Sequence, residues 1–152
     1  MLEFDNEALS LEEIIEKNGE SISSTSGFSM YPMLRNRKDM VVVEKVSRPL
    51  KRHDVVLYRL TGGKLVLHRI LKVKSDHYII RGDNLYEKEY IQKERIIGVL
   101  KTFYRNGKQY NCQESKAYQV YILFMRASYP LRHLWKKILY PTLSKIKHSL
   151  FK

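Results

Sequence analysis

At 152 residues the chain has about one domain's worth of sequence, enough to bury a core and too little for two ordinary domains. A hydrophobic content of 43%, an aromatic content of 11%, seven Gly and four Pro exclude disordered, collagen-like and low-complexity classes. The net charge of +12 suits anionic partners such as nucleic acid or lipid headgroups, and by itself selects no function. A single cysteine, Cys112, excludes an intramolecular disulfide and a multi-cysteine zinc site; it fits a reducing compartment and reads as an ordinary thiol.

Charge divides the chain into three zones. Residues 1–20 carry seven acids and one Lys, the reverse of a signal peptide's basic start. Leu9, Leu11, Ile14 and Ile15 among those carboxylates predict a short amphipathic helix that Asn18-Gly19 stops. Residues 21–112, with 19 basic and 8 acidic side chains, form the predicted β-rich domain. Its β-branched and aromatic runs are 40–46, 54–60, 64–73, 77–81 and 95–103, separated by turns such as Thr61-Gly62-Gly63 and Lys74-Ser75-Asp76. A short last strand is expected around Tyr110 and Cys112, after the Arg105-Asn106-Gly107-Lys108 turn. The fold class is therefore mainly β with α-helical termini, a coiled β-sheet or partly closed barrel.

Residues 113–152, with 8 basic and 1 acidic side chains, return to helical periodicity, expected as helices broken near Pro130 and Pro141. The longest apolar run there, 118–125, is too short to span a bilayer. This basic tail either touches anionic lipid or packs one face on the β-domain. His53, His77, His133 and His148 form no metal-ligand spacing, so neither a metal nor a cofactor is expected.

Three segments carry chemistry. In Ser26-Gly27-Phe28-Ser29-Met30-Tyr31-Pro32, a Gly two residues before a Ser and a Pro three after it build a tight bend. Such a bend presents a hydroxyl and free backbone N–H groups to one point, as a nucleophile and an oxyanion hole require. The strand Leu65-Val66-Leu67-His68-Arg69-Ile70 places an imidazole on a face shared with Val66 and Ile70, where desolvation favours the neutral base. Tyr78 to Asn84 follows, ending in Gly82-Asp83-Asn84.

In this order and spacing, the three segments resemble the signal peptidase and LexA-type superfamily of serine endopeptidases, over residues 22–107. The resemblance implies Ser29 as nucleophile in the Gly-x-Ser-Met-x-Pro bend. His68 in His68-Arg69-Ile70 is then the base, as in the endoplasmic-reticulum and archaeal type, where bacterial signal peptidase I and LexA use Lys. It implies an orienting carboxylate at or after Gly82-Asp83-Asn84: Asp83 matches directly, Glu87 and Glu89 lie near the alternative position, and the choice stays open. The implied oxyanion donors are the backbone N–H of Ser29, with Phe28 contributing, because Gly27 replaces the assisting Ser of signal peptidase I.

The chain departs from the family at two turns, where Lys38-Asp39 and His53-Asp54 replace Gly-Asp. The segment ahead of Ser29 is too short for a helix-turn-helix, and no anchor segment is found. The expectation is thus a maturation protease, processing a leader, signal or propeptide of a protein substrate in the cytoplasm or in association with a membrane. Nucleic acid is not an expected partner. The alternative is a non-enzymatic basic β-domain that binds nucleic acid or an anionic membrane surface.

Overall fold

A computed structural model describes residues 10–135. The chain divides into two units, the second beginning at Lys116. The first opens with helix α1 (Leu11–Asn18). Ser10 and Glu13 cap it reciprocally: the Glu13 N–H donates to Ser10 Oγ at 3.3 Å, and the Ser10 N–H donates to Glu13 Oε2 at 2.6 Å. Gly19 ends it at φ +80°, its N–H donating to the Ile15 carbonyl. The expected stop at Asn18-Gly19 is therefore where the helix ends, and Ile15 is the residue it buries.

Eight strands follow: β1 (Glu20–Ser24), β2 (Met40–Lys45), β3 (Val55–Arg59), β4 (Leu65–Val73), β5 (His77–Arg81), β6 (Glu89–Gln92), β7 (Ile96–Arg105) and β8 (Lys108–Asn111). They form one antiparallel sheet in the order β1-β2-β7-β3-β4-β5-β6, with β8 paired to β7. The sheet is open, with β1 and β6 at the ends of the path. The five expected long strands are β2, β3, β4, β5 and β7, and the short last strand is β8. β1 and β6 were not expected: Glu-Ser-Ile-Ser-Ser and Glu-Tyr-Ile-Gln each carry one Ile, too little apolar pattern to announce a strand.

The core gathers Val56, Tyr58, Ile70, Ile80, Ile91 and Val99 from β3 to β7. In β4 the expected alternation of faces is interrupted. Ile70 pairs with Ile80 and Lys72 with Ile79, so Leu71 is an extra residue and the strand's last turn is re-aimed outward. At the second glycine-free turn, His53 itself takes φ +79°, the conformation that Gly supplies in Gly-Asp.

In the second unit, helix α2 runs over Lys116–Leu134. The expected break near Pro130 is absent, and the helix runs through it. Proline forfeits one backbone hydrogen bond, the one to the Arg126 carbonyl, and the helix continues to Leu134 without it. Pro141 lies outside the described residues. No helix among the described residues is long and apolar enough to cross a membrane.

The loop from β1 to β2 closes on Asp39, which is 1% exposed. Its carboxylate accepts the Arg35 N–H at 2.8 Å and the Arg35 guanidinium at 2.6 and 3.0 Å. Burial works against the charge, and the Arg35 contacts outweigh it, holding the carboxyl below the usual range. Asp39→Ala leaves the Arg35 N–H without its acceptor and is expected to lower stability by about 2 kcal/mol, measured by urea unfolding.

Candidate active site

Between Thr25 and Asp39 the chain folds back on itself. The Thr25 hydroxyl donates to the Arg35 carbonyl at 2.6 Å, the Thr25 N–H donates to the Asp39 carbonyl, and the Arg37 N–H donates to the Thr25 carbonyl. Gly27 sits at φ +89°, its N–H bound to Asn36 Oδ1 at 2.9 Å. Met30, Met33 and Leu34 are buried beneath the bend, and Phe28 is exposed. Ser29 therefore rides on a loop pinned at its ends and along its underside. Among the described residues, nothing accepts a hydrogen bond from the N–H groups of Phe28 or Ser29.

The Gly82-Asp83-Asn84 segment holds the bend from the other side. The Asn84 N–H donates to the Ser29 carbonyl at 2.8 Å, and Asn84 Nδ2 donates to the Phe28 carbonyl at 3.2 Å. A Cβ on Gly82 would lie 2.7 Å from the Ser29 carbonyl oxygen and 3.1 Å from His68 Cδ2. Only glycine lets the Ser29 loop and the imidazole edge close on the same spot.

His68 is 3% exposed. Its Nδ1 lies 2.8 Å from the Tyr58 hydroxyl and 3.3 Å from Glu89 Oε2, and the Tyr58 hydroxyl donates to Glu89 Oε2. A phenol has one proton. Because Tyr58 gives it to the carboxylate, the bond to His68 must run from Nδ1–H to the Tyr58 oxygen. That fixes the tautomer and leaves the lone pair on Nε2, which is buried without a hydrogen-bond partner among the described residues. Cδ2, bonded to Nε2, is the ring atom packed over Gly82 beside Ser29. Burial pushes the His68 pKa down, against the opposing pull of the Glu89 carboxylate. Burial first, and then Glu89, push Tyr58 far above the usual phenol range, so it remains a donor.

Asp83 is placed differently from the direct motif match. Its carboxylate oxygens accept from Arg69 Nε at 2.8 Å and Nη2 at 2.7 Å, both residues being buried. Arg69 follows His68 in β4 and so points to the opposite face. Arg69 also donates to the His53 carbonyl at 3.0 Å and to Met33 Sδ at 3.1 Å, which makes the pair a clamp beneath the loops. Of the three carboxylates left open, Glu89 is on the imidazole, Asp83 is in the clamp and Glu87 is exposed.

No protein-family model and no curated protein matches the chain.

Ser29 and His68 line one cavity of about 490 Å³, walled by Met30, Leu57, Leu65 and Leu67 and reached by Ser23 to Ser26 of β1 and its continuation. Two strand edges that pair with no other strand among the described residues flank it. The bonds at Gly19 and Thr25 fix the register of β1, so Ile22 and Ser24 turn their backbone groups away from β2. The bonds at Lys64 and Ile70 likewise turn Leu65 and Leu67 away from β3, and β5 pairs with β4 only from Arg69 onward.

Sequence reasoning did not single out Tyr58. The signal was present: around the Thr61-Gly62-Gly63 turn His68 pairs with Val56, which puts Tyr58 on the same face as His68 and diagonal to it.

Two outcomes are expected. Asp83→Ala uncovers a buried guanidinium and lowers stability by about 3 kcal/mol in urea unfolding. In proton NMR titrations His68 protonates below its ordinary value of 6.5, and Glu89→Gln, by removing the carboxylate that favours the cation, moves the midpoint lower still.

Proposed function

We propose that the chain is a serine endopeptidase with the fold of the signal peptidase and LexA type, cleaving a leader, signal or pro-segment of a protein substrate. The observation that carries this reading is the His68 ring: Nδ1 is tied to Tyr58 and Glu89, Nε2 is buried without a hydrogen-bond partner among the described residues, and His68 lines the same cavity as Ser29. The resemblance of Ser26 to Leu34, His68 to Ile70 and Gly82 to Asn84 to that superfamily supports the same assignment.

In this mechanism His68 Nε2 takes the Ser29 hydroxyl proton as Oγ attacks the scissile carbonyl carbon. The resulting oxyanion is met by the Ser29 N–H, with that of Phe28 contributing. The imidazolium, stabilised through Nδ1 by the Tyr58–Glu89 pair, returns its proton to the leaving amine, and an acyl-enzyme ester remains on Ser29. Water deprotonated by the same Nε2 then hydrolyses the ester. Tyr58 and Glu89 are positioning residues that act through His68. The substrate lies as an extended strand, its backbone bonded to the outward edges of Ile22 and Ser24 on β1 and Leu65 and Leu67 on β4. The binding-module alternative rests on net charge and leaves this constellation without a use.

Incubation of the full chain with a proteome-derived peptide library, read by sequencing newly formed N-termini, tests the proposal. Cleavage is expected from the wild type and is expected to fall by about 10³-fold or more in Ser29→Ala and His68→Ala. Glu89→Gln retains part of it. As pH falls the rate drops only once His68 protonates, below its ordinary 6.5. Equal cleavage by wild type and Ser29→Ala, or none by either, overturns the assignment.

A further inference from the structure

We infer that α2 binds the surface of an anionic lipid bilayer, lying flat on it through one apolar face. This inference does not depend on the peptidase reading. At 100° per residue, Val120, Leu123, Phe124, Leu131, Leu134 and Trp135 fall within an arc of about 120°. All six are exposed, from 48% for Leu134 to 70% for Leu131. A stripe of this size is more than the scattered apolar residues of an ordinary surface.

Charge names the occupant. Lys116, Arg126 and Arg132 are the charged residues of α2, which carries no Asp or Glu, and residues 136–152 add five Lys and no acid. A second copy of the chain docked on this face would bring those cations against their own equivalents. Nucleic acid would satisfy the cations and leave Leu123, Phe124 and Leu131 in water. An anionic bilayer satisfies both, with the apolar face among the acyl chains and the Lys and Arg heads among the phosphates. The helix lies on the membrane, being too short in apolar sequence to cross it.

Trp135 is the only tryptophan, so its fluorescence reports the face directly. Full-length protein is titrated at low salt with phosphatidylcholine vesicles and with vesicles containing about one-third phosphatidylglycerol. The expected result is a blue shift and co-sedimentation with the anionic vesicles that weakens as salt rises, with little response to phosphatidylcholine alone. Phe124→Ser combined with Leu131→Ser, both at exposed positions, is expected to weaken binding about 100-fold. Lys136→Gln with Lys137→Gln is expected to weaken it roughly 10-fold or more. Absence of a Trp135 shift, or anionic-vesicle binding unchanged by Phe124→Ser/Leu131→Ser, overturns the inference. A stable dimer lost in that double variant assigns the face to a second copy and equally overturns it.

Discussion

The single proton of the Tyr58 hydroxyl constrains everything around it. Donated to Glu89, it leaves the phenol oxygen able only to accept from His68 Nδ1–H, and the imidazole must then keep its lone pair on Nε2. The arrangement sets three elements at once. β3 must register against β4 so that Tyr58 and His68 share a face, β6 must bring Glu89 over the same face, and the Nε2 side must turn toward Gly82 and the Ser29 loop. A Tyr58 buried completely, with its pKa driven upward, holds that pattern through the range in which proteins work.

One strand supplies both the buried imidazole and the clamp beneath it. His68 and Arg69 are consecutive in β4 and face opposite ways, so the sheet separates the imidazole held by Tyr58 and Glu89 from the guanidinium held by Asp83. Arg69 joins Asp83, His53 and Met33, and through Asp83 and Asn84 the Gly82 segment reaches Ser29. Asp39 performs a matching task at the other end of the Ser29 loop. Two buried carboxylates thus fix the bend from both sides, and glycine at position 82 allows the imidazole to close on it.

The strands with continuous apolar patterns, β2 to β5 and β7, were legible in the sequence, as was the Gly19 stop of α1. So were the Ser29 bend and His68, because each is carried by local residue order. What was not legible depends on pairing across the sheet. Glu89 is one of three carboxylates within seven residues, and only the Ile80–Glu89 register selects it over Asp83 and Glu87. Tyr58 reads as an ordinary strand aromatic until β3 and β4 are aligned. β1 is an edge strand whose serines carry no alternating pattern, yet it flanks the cavity. His53 at φ +79° shows a turn conformation enforced by its surroundings, including its own N–H and carbonyl bonds to Ile70 and Arg69.

The net charge of +12 has little to do with this site, which consists of a neutral imidazole, a phenol, a hydroxyl and one carboxylate. The basic surplus is spread instead over residues 21–112 and 113–152 of the sequence. The chemistry stands or falls on the position of one proton. Nitrogen-15 NMR of histidine-labelled protein near pH 7 reads it directly: His68 is predicted to show a protonated Nδ1 and a bare Nε2, and to lose that preference in Tyr58→Phe combined with Glu89→Gln. A His68 protonated on Nε2 in the wild type would contradict the account.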